Sequence, residues 1–400
     1  MRIFLIVMDS VGIGEAPDAY KFDDKGSDTL GHIATFNQGL KVKNLEALGL
    51  GAIRNLEGVS NKPSLNSYYG RLEEVSNGKD TMTGHWEMMG IKTIKPFKTF
   101  TDTGFPKELI ELLEEKTGRK ILGNKSASGT AIIEEYGLHQ EKTGDLIVYT
   151  SADPVLQIAA DENVIPLDEL YYICHIAREI TLKEEWKVGR IIARPYIKNP
   201  DGSYTRTPHR HDYALSPSED TVLNYLKNDG YDVISVGKIS DIFNASGITE
   251  SNPIVSNHNG MEVTLDICKN KDFNGLCFVN LVDFDSMYGH RRDPIGYKNA
   301  IEEFDNDLSP LLEALRDDDI LMITADHGND PTFKGSDHTR EYVPLLVYSK
   351  NFTEGGNLGI LSSFAVLGKT VADYFNVASP KLGESFKDKL KWEIKNSFYS

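Results

Sequence analysis

The sequence predicts an α/β fold with a mostly parallel central sheet flanked by helices. Strand-like and helix-like segments alternate along the chain. Three segments read as buried strands, Ile3 to Met8, Leu276 to Val282 and Ile320 to Ile323, and the continuous apolar run from Ile3 to Met8 is the mark of a strand buried on both faces. Each gives way to polar residues, at Asp9, at Asp283 to Asp285 and at Asp326. Ligands and catalytic groups in open α/β sheets gather outside the carboxyl ends of strands. These polar ends lie at the two extremes of the chain, so the sequence between them must leave the core and come back. An inserted domain at 96–213 satisfies that and leaves a discontinuous core of 1–95 and 214–400.

The elements follow in order. A Gly-containing turn from Asp9 to Gly14 ends the first strand, without the spacing of a dinucleotide fingerprint. Residues 44–50 read as a short helix stopped by Gly49. Lys79 to Glu87 is a polar, hydroxyl-rich loop leading into a helix start. Pro96 to Pro106 is loop-like; Pro106 opens a helix over 107–116 that Gly118 stops. Leu146 to Tyr149 is a strand, Asp168 to Ile180 a helix, and Val188 to Ile197 a strand carrying Arg190 and Arg194. Thr205 to Asp212 reads as a basic, irregular loop. Ser216-Pro217-Ser218-Glu219 has the form of a capping box with Pro in the first turn, so a helix is expected from there to about Asn228. A strand over 231–236, helices over 260–269 and 297–315, and a strand over 343–348 complete the pattern.

At 400 residues the chain suggests two or three domains. Its formal charge of -17 argues against non-specific nucleic-acid binding, which needs a basic face. An anionic substrate stays open, because a metal ion or a local cluster overrides the global field. Cys174, Cys268 and Cys277 form no CxxC pair and sit in apolar surroundings, which predicts buried, reduced thiols and fits a reducing cytosol. The apolar N-terminus is only one strand long before Asp9, so it lacks the form of a signal peptide. No run reaches the roughly 20 apolar residues of a membrane span. A cytoplasmic protein without membrane partners is expected.

The candidate metal ligands are Asp9, Asp285, His290, Asp326, His327 and His338. Oxygen and imidazole donors without Cys suit Mn²⁺, Zn²⁺ or Mg²⁺. Six such groups exceed the needs of one tetrahedral ion and suit a pair of ions, an arrangement that clamps both oxygens of an in-line phosphoryl displacement. Asp283 rivals Asp285, since alternate residues at a strand end share a side. A transfer reaction also wants a nucleophile, for which Thr81 and Thr83 both qualify, and either threonine could instead cap a helix.

The segments VMDSVGIGEAPD (7–18), GKDTMTGHWE (78–87), DFD with YGHRRD (283–293), and TADHGND with DHT (324–339) closely resemble those of the bacterial phosphopentomutases, members of the alkaline phosphatase superfamily. The likeness runs almost the full length. It implies an alkaline-phosphatase-like core with an inserted α+β cap, two Mn²⁺ ions and a phosphothreonine intermediate. The implied activity interconverts ribose 1-phosphate and ribose 5-phosphate, and the 2-deoxy sugars, in a monomer that acts on small pentose phosphates. Glucose 1,6-bisphosphate or a pentose 1,5-bisphosphate would serve as phosphorylating activator. By the same matching Thr81 is the nucleophile, Asp9, Asp326 and His327 hold one ion, and Asp285, His290 and His338 hold the other. Ser151 and Asp153 match sugar contacts, and Arg190, Arg206 and Lys238 match phosphate contacts, with Arg194 and Arg210 as competitors. Rival readings are a cofactor-independent phosphoglycerate mutase-like enzyme, a metal-dependent phosphatase, and a non-catalytic sugar-phosphate binder.

Overall fold

In the computed structural model, which describes residues 1–392, the apolar runs become strands. In chain order these are β1 (Arg2–Met8), β2 (Ser67–Leu72), β3 (Ile121–Ser126), β4 (Leu146–Thr150), β5 (Val155–Asp161), β6 (Arg190–Lys198) and β7 (Tyr204–Arg206). Then come β8 (His211–Ala214), β9 (Asp232–Val236), β10 (Glu250–Asn252), β11 (Gly275–Leu281), β12 (Ile320–Thr324), β13 (Val343–Tyr348) and β14 (Gly356–Leu361). The chain divides into two compact units, residues 1–95 with 216–400, and residues 96–215.

The first unit is built on an eight-stranded sheet in the order β10-β9-β11-β1-β12-β13-β2-β14. β1 lies between β11 and β12, parallel to both. β13 runs antiparallel to its neighbours β12 and β2, and the other pairings are parallel. Every residue of β1, β11 and β12 is buried, as continuous apolar runs require in a sheet covered on both faces. The register sets Met8 beside Leu281 and Val7 beside Thr324, so three carboxyl ends emerge side by side. Two long helices, Asn257–Asn270 and Pro294–Ala314, pack against each other. The second starts at Pro294, ahead of the expected 297, with Asp293 accepting from Gly296 N and Pro294 at its first turn.

The second unit carries a six-stranded sheet, β3-β4-β5-β6-β7, with β8 also paired to β6. Alternation along β4 divides its core. Leu146 and Val148 join a cluster with Leu109, Leu113, Leu170 and Ile173 from helices Lys107–Thr117 and Leu167–Ile180. Ile147 and Tyr149 pack on the other face with Ile132 and Ile133 of helix Gly129–Thr143.

Three local expectations are corrected. The helix expected from Ser216 begins at Val222, under a capping box of Thr221 and Asn224. Ser216 Oγ instead accepts from Asn244 Nδ2 at 2.9 Å, a tertiary bond that removes it from capping. The helix over 44–50 is two short ones, Lys43–Ala47 and Leu50–Ile53, because Gly49 adopts a left-handed φ of +103° between them. The basic stretch 205–212 is not wholly irregular: β7 and β8 border it, both antiparallel to β6. The three cysteines are free thiols and buried. Among the described residues no helix is long and apolar enough to cross a membrane.

Candidate metal centre

Asp9 follows β1 directly, Asp326 and His327 follow β12, and Asp285 stands in a short π-helical turn, Phe284–Gly289, just past β11. Because these strands are adjacent and in register, their ends deliver three carboxylates to one place. Asp9, Asp326 and His327 offer ligand atoms within 4.8 Å of one another, and so do Asp285, His327 and His338. His290 Nε2 lies 3.1 Å from Asp285 Oδ2, and His338 Nε2 lies 3.5 Å from Asp285 Oδ1. The His338 ring centroid is 4.1 Å from that of His327 and 4.8 Å from that of His290. The six residues singled out from sequence therefore form one cluster, mostly buried.

The imidazoles are oriented by their far nitrogens. His327 Nδ1 donates to Gly328 O at 3.0 Å, which turns Nε2 toward Asp326 Oδ2 at 3.3 Å and Asp9 Oδ1 at 3.6 Å. His290 Nδ1 donates to Ser336 O at 2.7 Å and turns Nε2 toward Asp285. A backbone carbonyl on one ring nitrogen is the usual arrangement of a metal-ligating histidine, since it fixes the tautomer.

The electrostatics ask for a cation. Burial, with the Asp326 and Asp285 charges, pushes the Asp9 carboxyl well above the usual carboxylate range, against a bond from Asn280 and the charge of Lys238. Burial also penalises Asp285, but the charges and hydrogen bonds of His290 and His338 outweigh it and hold that carboxyl well below. At Asp326, burial is outweighed by His327 and His85. Nearby positive charge thus favours the ionised forms of Asp285 and Asp326, and at Asp9 there is too little of it to offset burial. Asp9 Oδ1 and Asp326 Oδ2 are buried and accept no hydrogen bond. Buried carboxylate oxygens without partners are costly unless an ion takes them. The donor set, oxygen and imidazole nitrogen without sulfur, fits divalent cations of the Mn²⁺, Mg²⁺ and Zn²⁺ kind.

The two threonines separate by their caps. Asp80 caps helix Thr81–Met88, accepting from Thr83 N at 3.1 Å and Thr83 Oγ1 at 2.6 Å, so the Thr83 hydroxyl is engaged and buried. Thr81, at the first helical position and partly exposed, has its Oγ1 3.2 Å from His327 Nε2. The helix comes close to the Asp326 backbone at Gly84, where a Cβ would stand 2.3 Å from Asp326 O. Only glycine admits that approach.

Several supporting residues were not singled out from sequence. His85 donates from Nδ1 to Thr81 O at 2.8 Å, lies 3.3 Å from Asp326 Oδ2, and has Nε2 3.3 Å from Asn280 Nδ2. Asn280 Nδ2 donates to Asp9 Oδ2 at 2.8 Å, and Ser10 N donates to Asp326 Oδ1 at 2.9 Å. Asn329 Nδ2 donates to Asp285 Oδ1 at 2.8 Å. Two signals were available. His85 stands four residues after Thr81, one helical turn on, and Asn280 is a polar side chain inside the apolar run GLCFVNL.

The remaining expected contacts divide between the units. Lys238 follows β9, half-buried, close enough for its charge to act on Asp9. Ser151, Asp153, Arg190 and Arg206 belong to the second unit. Ser151 and Asp153 follow β4, and Ser151 O accepts from Thr101 Oγ1. Arg190 pairs with Asp153 at 3.4 Å and Asp212 at 3.5 Å. Arg206 lies near Tyr149, whose buried hydroxyl has no hydrogen-bond partner; a Cβ at Gly129 would lie 2.8 Å from that oxygen and 3.6 Å from Arg206 Nη1. Burial raises the Tyr149 hydroxyl, while the charges of Arg194, Arg206 and Arg210 oppose the shift. Arg194 Nε donates to Gln157 Oε1, and Arg210 forms a two-pronged pair with Asp212.

The model of the metalloenzyme superfamily matches residues 1–379. That match carries the alkaline-phosphatase-like α/β class expected for this chain. Among solved structures, the PH0037 protein from Pyrococcus horikoshii aligns over 96% of this chain and 99% of its own, at 14% identity and a TM-score of 0.48. Phosphoglycerate mutase from Leishmania mexicana, studied at low cobalt concentration, aligns over 96% of both chains at 11% identity and a TM-score of 0.46.

Proposed function

Because the chain belongs to the metalloenzyme superfamily, we propose that its metal centre serves phosphoryl transfer, and that the enzyme is a phosphopentomutase. The observation that carries this reading is the Thr81 hydroxyl, at a helix N-terminus and 3.2 Å from the imidazole common to both ligand groups. A covalent side-chain nucleophile serves hydrolases as well as transfer enzymes, so Thr81 supports a phosphothreonine intermediate and does not by itself choose the acceptor. The resemblance of the four sequence segments to phosphopentomutases gives the substrate class.

In this reading Asp9, Asp326 and His327 hold one divalent ion and Asp285, His290 and His338 the other, and the metal expected is Mn²⁺. Bound there, the pair would neutralise the transferred group and ease loss of the Thr81 proton. Phospho-Thr81 passes its phosphoryl group to an oxygen of the pentose monophosphate: the Thr Oγ–P bond breaks and a sugar O–P bond forms. The pentose 1,5-bisphosphate then returns its other phosphate to Thr81 Oγ1 and leaves as the isomer. The dipole of helix Thr81–Met88 favours the dianion at its first turn. By the same resemblance Lys238, Ser151, Asp153, Arg190 and Arg206 are the expected sugar and distal-phosphate contacts. A mutase must hold the bisphosphate and keep water from it, or it becomes a phosphatase. Arginine suits this hold through two-pronged phosphate contacts.

The test is conversion of ribose 1-phosphate with Mn²⁺, assayed for ribose 5-phosphate and for free phosphate, with 3-phosphoglycerate in parallel. Ribose 5-phosphate is the expected product. Free phosphate alone would favour a phosphatase, and turnover of 3-phosphoglycerate a phosphoglycerate mutase. Thr81→Ala is expected to abolish turnover together with the phosphoprotein band formed with labelled glucose 1,6-bisphosphate. A band that persists in the variant refutes the nucleophile.

A further inference from the structure

We propose that Arg292 is the positioning residue of the second ion site, holding Asp285, His290 and His338 in place through the two loops that carry them. The inference rests on the two-ion reading above. The ligands of that site come from loops: Asp285 and His290 from the turn after β11, and His338 from the loop after β12. Arg292, in a left-handed conformation with φ of +55°, reaches from the first loop into the second. Its Nη1 donates to Asn329 Oδ1 at 2.8 Å and to Asp330 O at 2.8 Å. Its Nη2 donates to Asp337 O at 3.1 Å, and its Nε donates to Gly335 O.

The bonds to Asn329, Gly335 and Asp337 lead to the ligands. A guanidinium only donates, so the bond from Nη1 fixes the carbonyl end of the Asn329 amide toward Arg292. The amide nitrogen is then left to donate to Asp285 Oδ1, at 2.8 Å. Gly335 O and Asp337 O flank Ser336, whose carbonyl accepts from His290 Nδ1. Asp337 is bonded through the peptide to His338. One planar fork thus fixes all three ligands, while the bonds to Asp9 and Asp326 come from Asn280 and Ser10. Lysine, with one ammonium on a flexible stem, cannot meet acceptors spread this way.

The experiment titrates the metal-free, full-length protein with Mn²⁺ alone, by calorimetry. Wild type is expected to bind two ions, and the binding event that His338→Ala removes identifies the second site. Arg292→Ala is expected to weaken that same site about 10–100-fold, the usual cost of losing such outer support, and to leave the other within about threefold. Arg292→Lys should recover little of the loss. Asn329→Ala removes only the link to Asp285 and should weaken the same site, and it decides the matter if Arg292→Ala fails to fold. Equal weakening of both sites, or no change in either variant, overturns the role of Arg292. A wild-type protein that binds a single ion overturns the two-ion reading instead, and this role with it.

Discussion

Glu341 gives the sharpest test of how burial near the centre is balanced. Its carboxyl is fully buried and accepts four bonds: from Gly14 N at 3.1 Å, Thr29 N at 2.9 Å, Thr29 Oγ1 at 2.8 Å and Thr339 Oγ1 at 2.7 Å. Burial pushes it from 4.5 to about 7, against the bonds from Thr339 and Thr29. At about 1.4 kcal/mol per tenfold, ionising it in the fold then costs about 3 kcal/mol. The folded carboxyl holds its proton more tightly than the unfolded one, so its contribution is complete below the unfolded value and is lost as pH rises through about 7. Glu341→Gln keeps the shape and is neutral throughout. Its amide oxygen can accept from the two backbone N–H groups and its NH₂ can donate to the two hydroxyls. Each hydroxyl then loses its own acceptor, at a combined cost of about 1 kcal/mol. The variant should be more stable than wild type by about 2 kcal/mol near pH 8, and equal to it or slightly weaker near pH 5. Urea unfolding at the two pH values, with metal content matched, measures this. A variant less stable at both values would show that Glu341 is ionised and that its four donors outweigh burial.

Three further outcomes are expected. Arg2 and Asp319 form a buried two-pronged pair, with Arg2 Nε 2.9 Å from Asp319 Oδ1, so Asp319→Ala strands a guanidinium and should cost about 3–5 kcal/mol in urea unfolding. Asn280→Ala removes the bond that orients Asp9, and should weaken the first Mn²⁺ site about 10–100-fold while sparing the second, the mirror image of Arg292→Ala in the same titration. Arg206→Ala should raise the KM for pentose phosphates about 30-fold, the equivalent of about 2 kcal/mol for a lost charged bond, and raise the fraction of turnovers ending in free phosphate.

The strands were legible because continuous apolar runs such as Ile3 to Met8 and Ile320 to Ile323 have few other ways to be buried. Helix Thr29–Phe36 was not, since its sequence TLGHIATF carries Gly and β-branched residues and little apolar periodicity. Edge strand Tyr204–Arg206 is mostly exposed and has no buried face to set a period of two. The error at Ser216 was of another kind. Its capping signal is local, and the bond from Asn244 that overrides it is 28 residues away. The site divides in the same manner. Asp9, Asp285 and Asp326 announce themselves as polar residues where buried strands stop. Thr81 and Thr83 are the same residue two positions apart, and only the geometry of the Asp80 cap gives their hydroxyls different neighbours.

The two ligand groups differ in what holds them. Asp9 and Asp326 stand within two residues of β1 and β12, central strands hydrogen-bonded on both sides, and positions at strand ends are held more exactingly than positions in loops. Asp285, His290 and His338 stand at four residues or more from the nearest strand end. Distance from the sheet is freedom, and freedom at a metal site has to be removed by other bonds. That is where this chain spends its polar side chains. Among the described residues, Asn280 orients Asp9 through a side-chain bond, whereas the loop ligands are held by Asn329, the Ser336 carbonyl and the donors of Arg292. In the two-ion reading proposed above, the site nearer Thr81 is therefore fixed mainly by the strand ends, and the second mainly by a hydrogen-bonded network between loops.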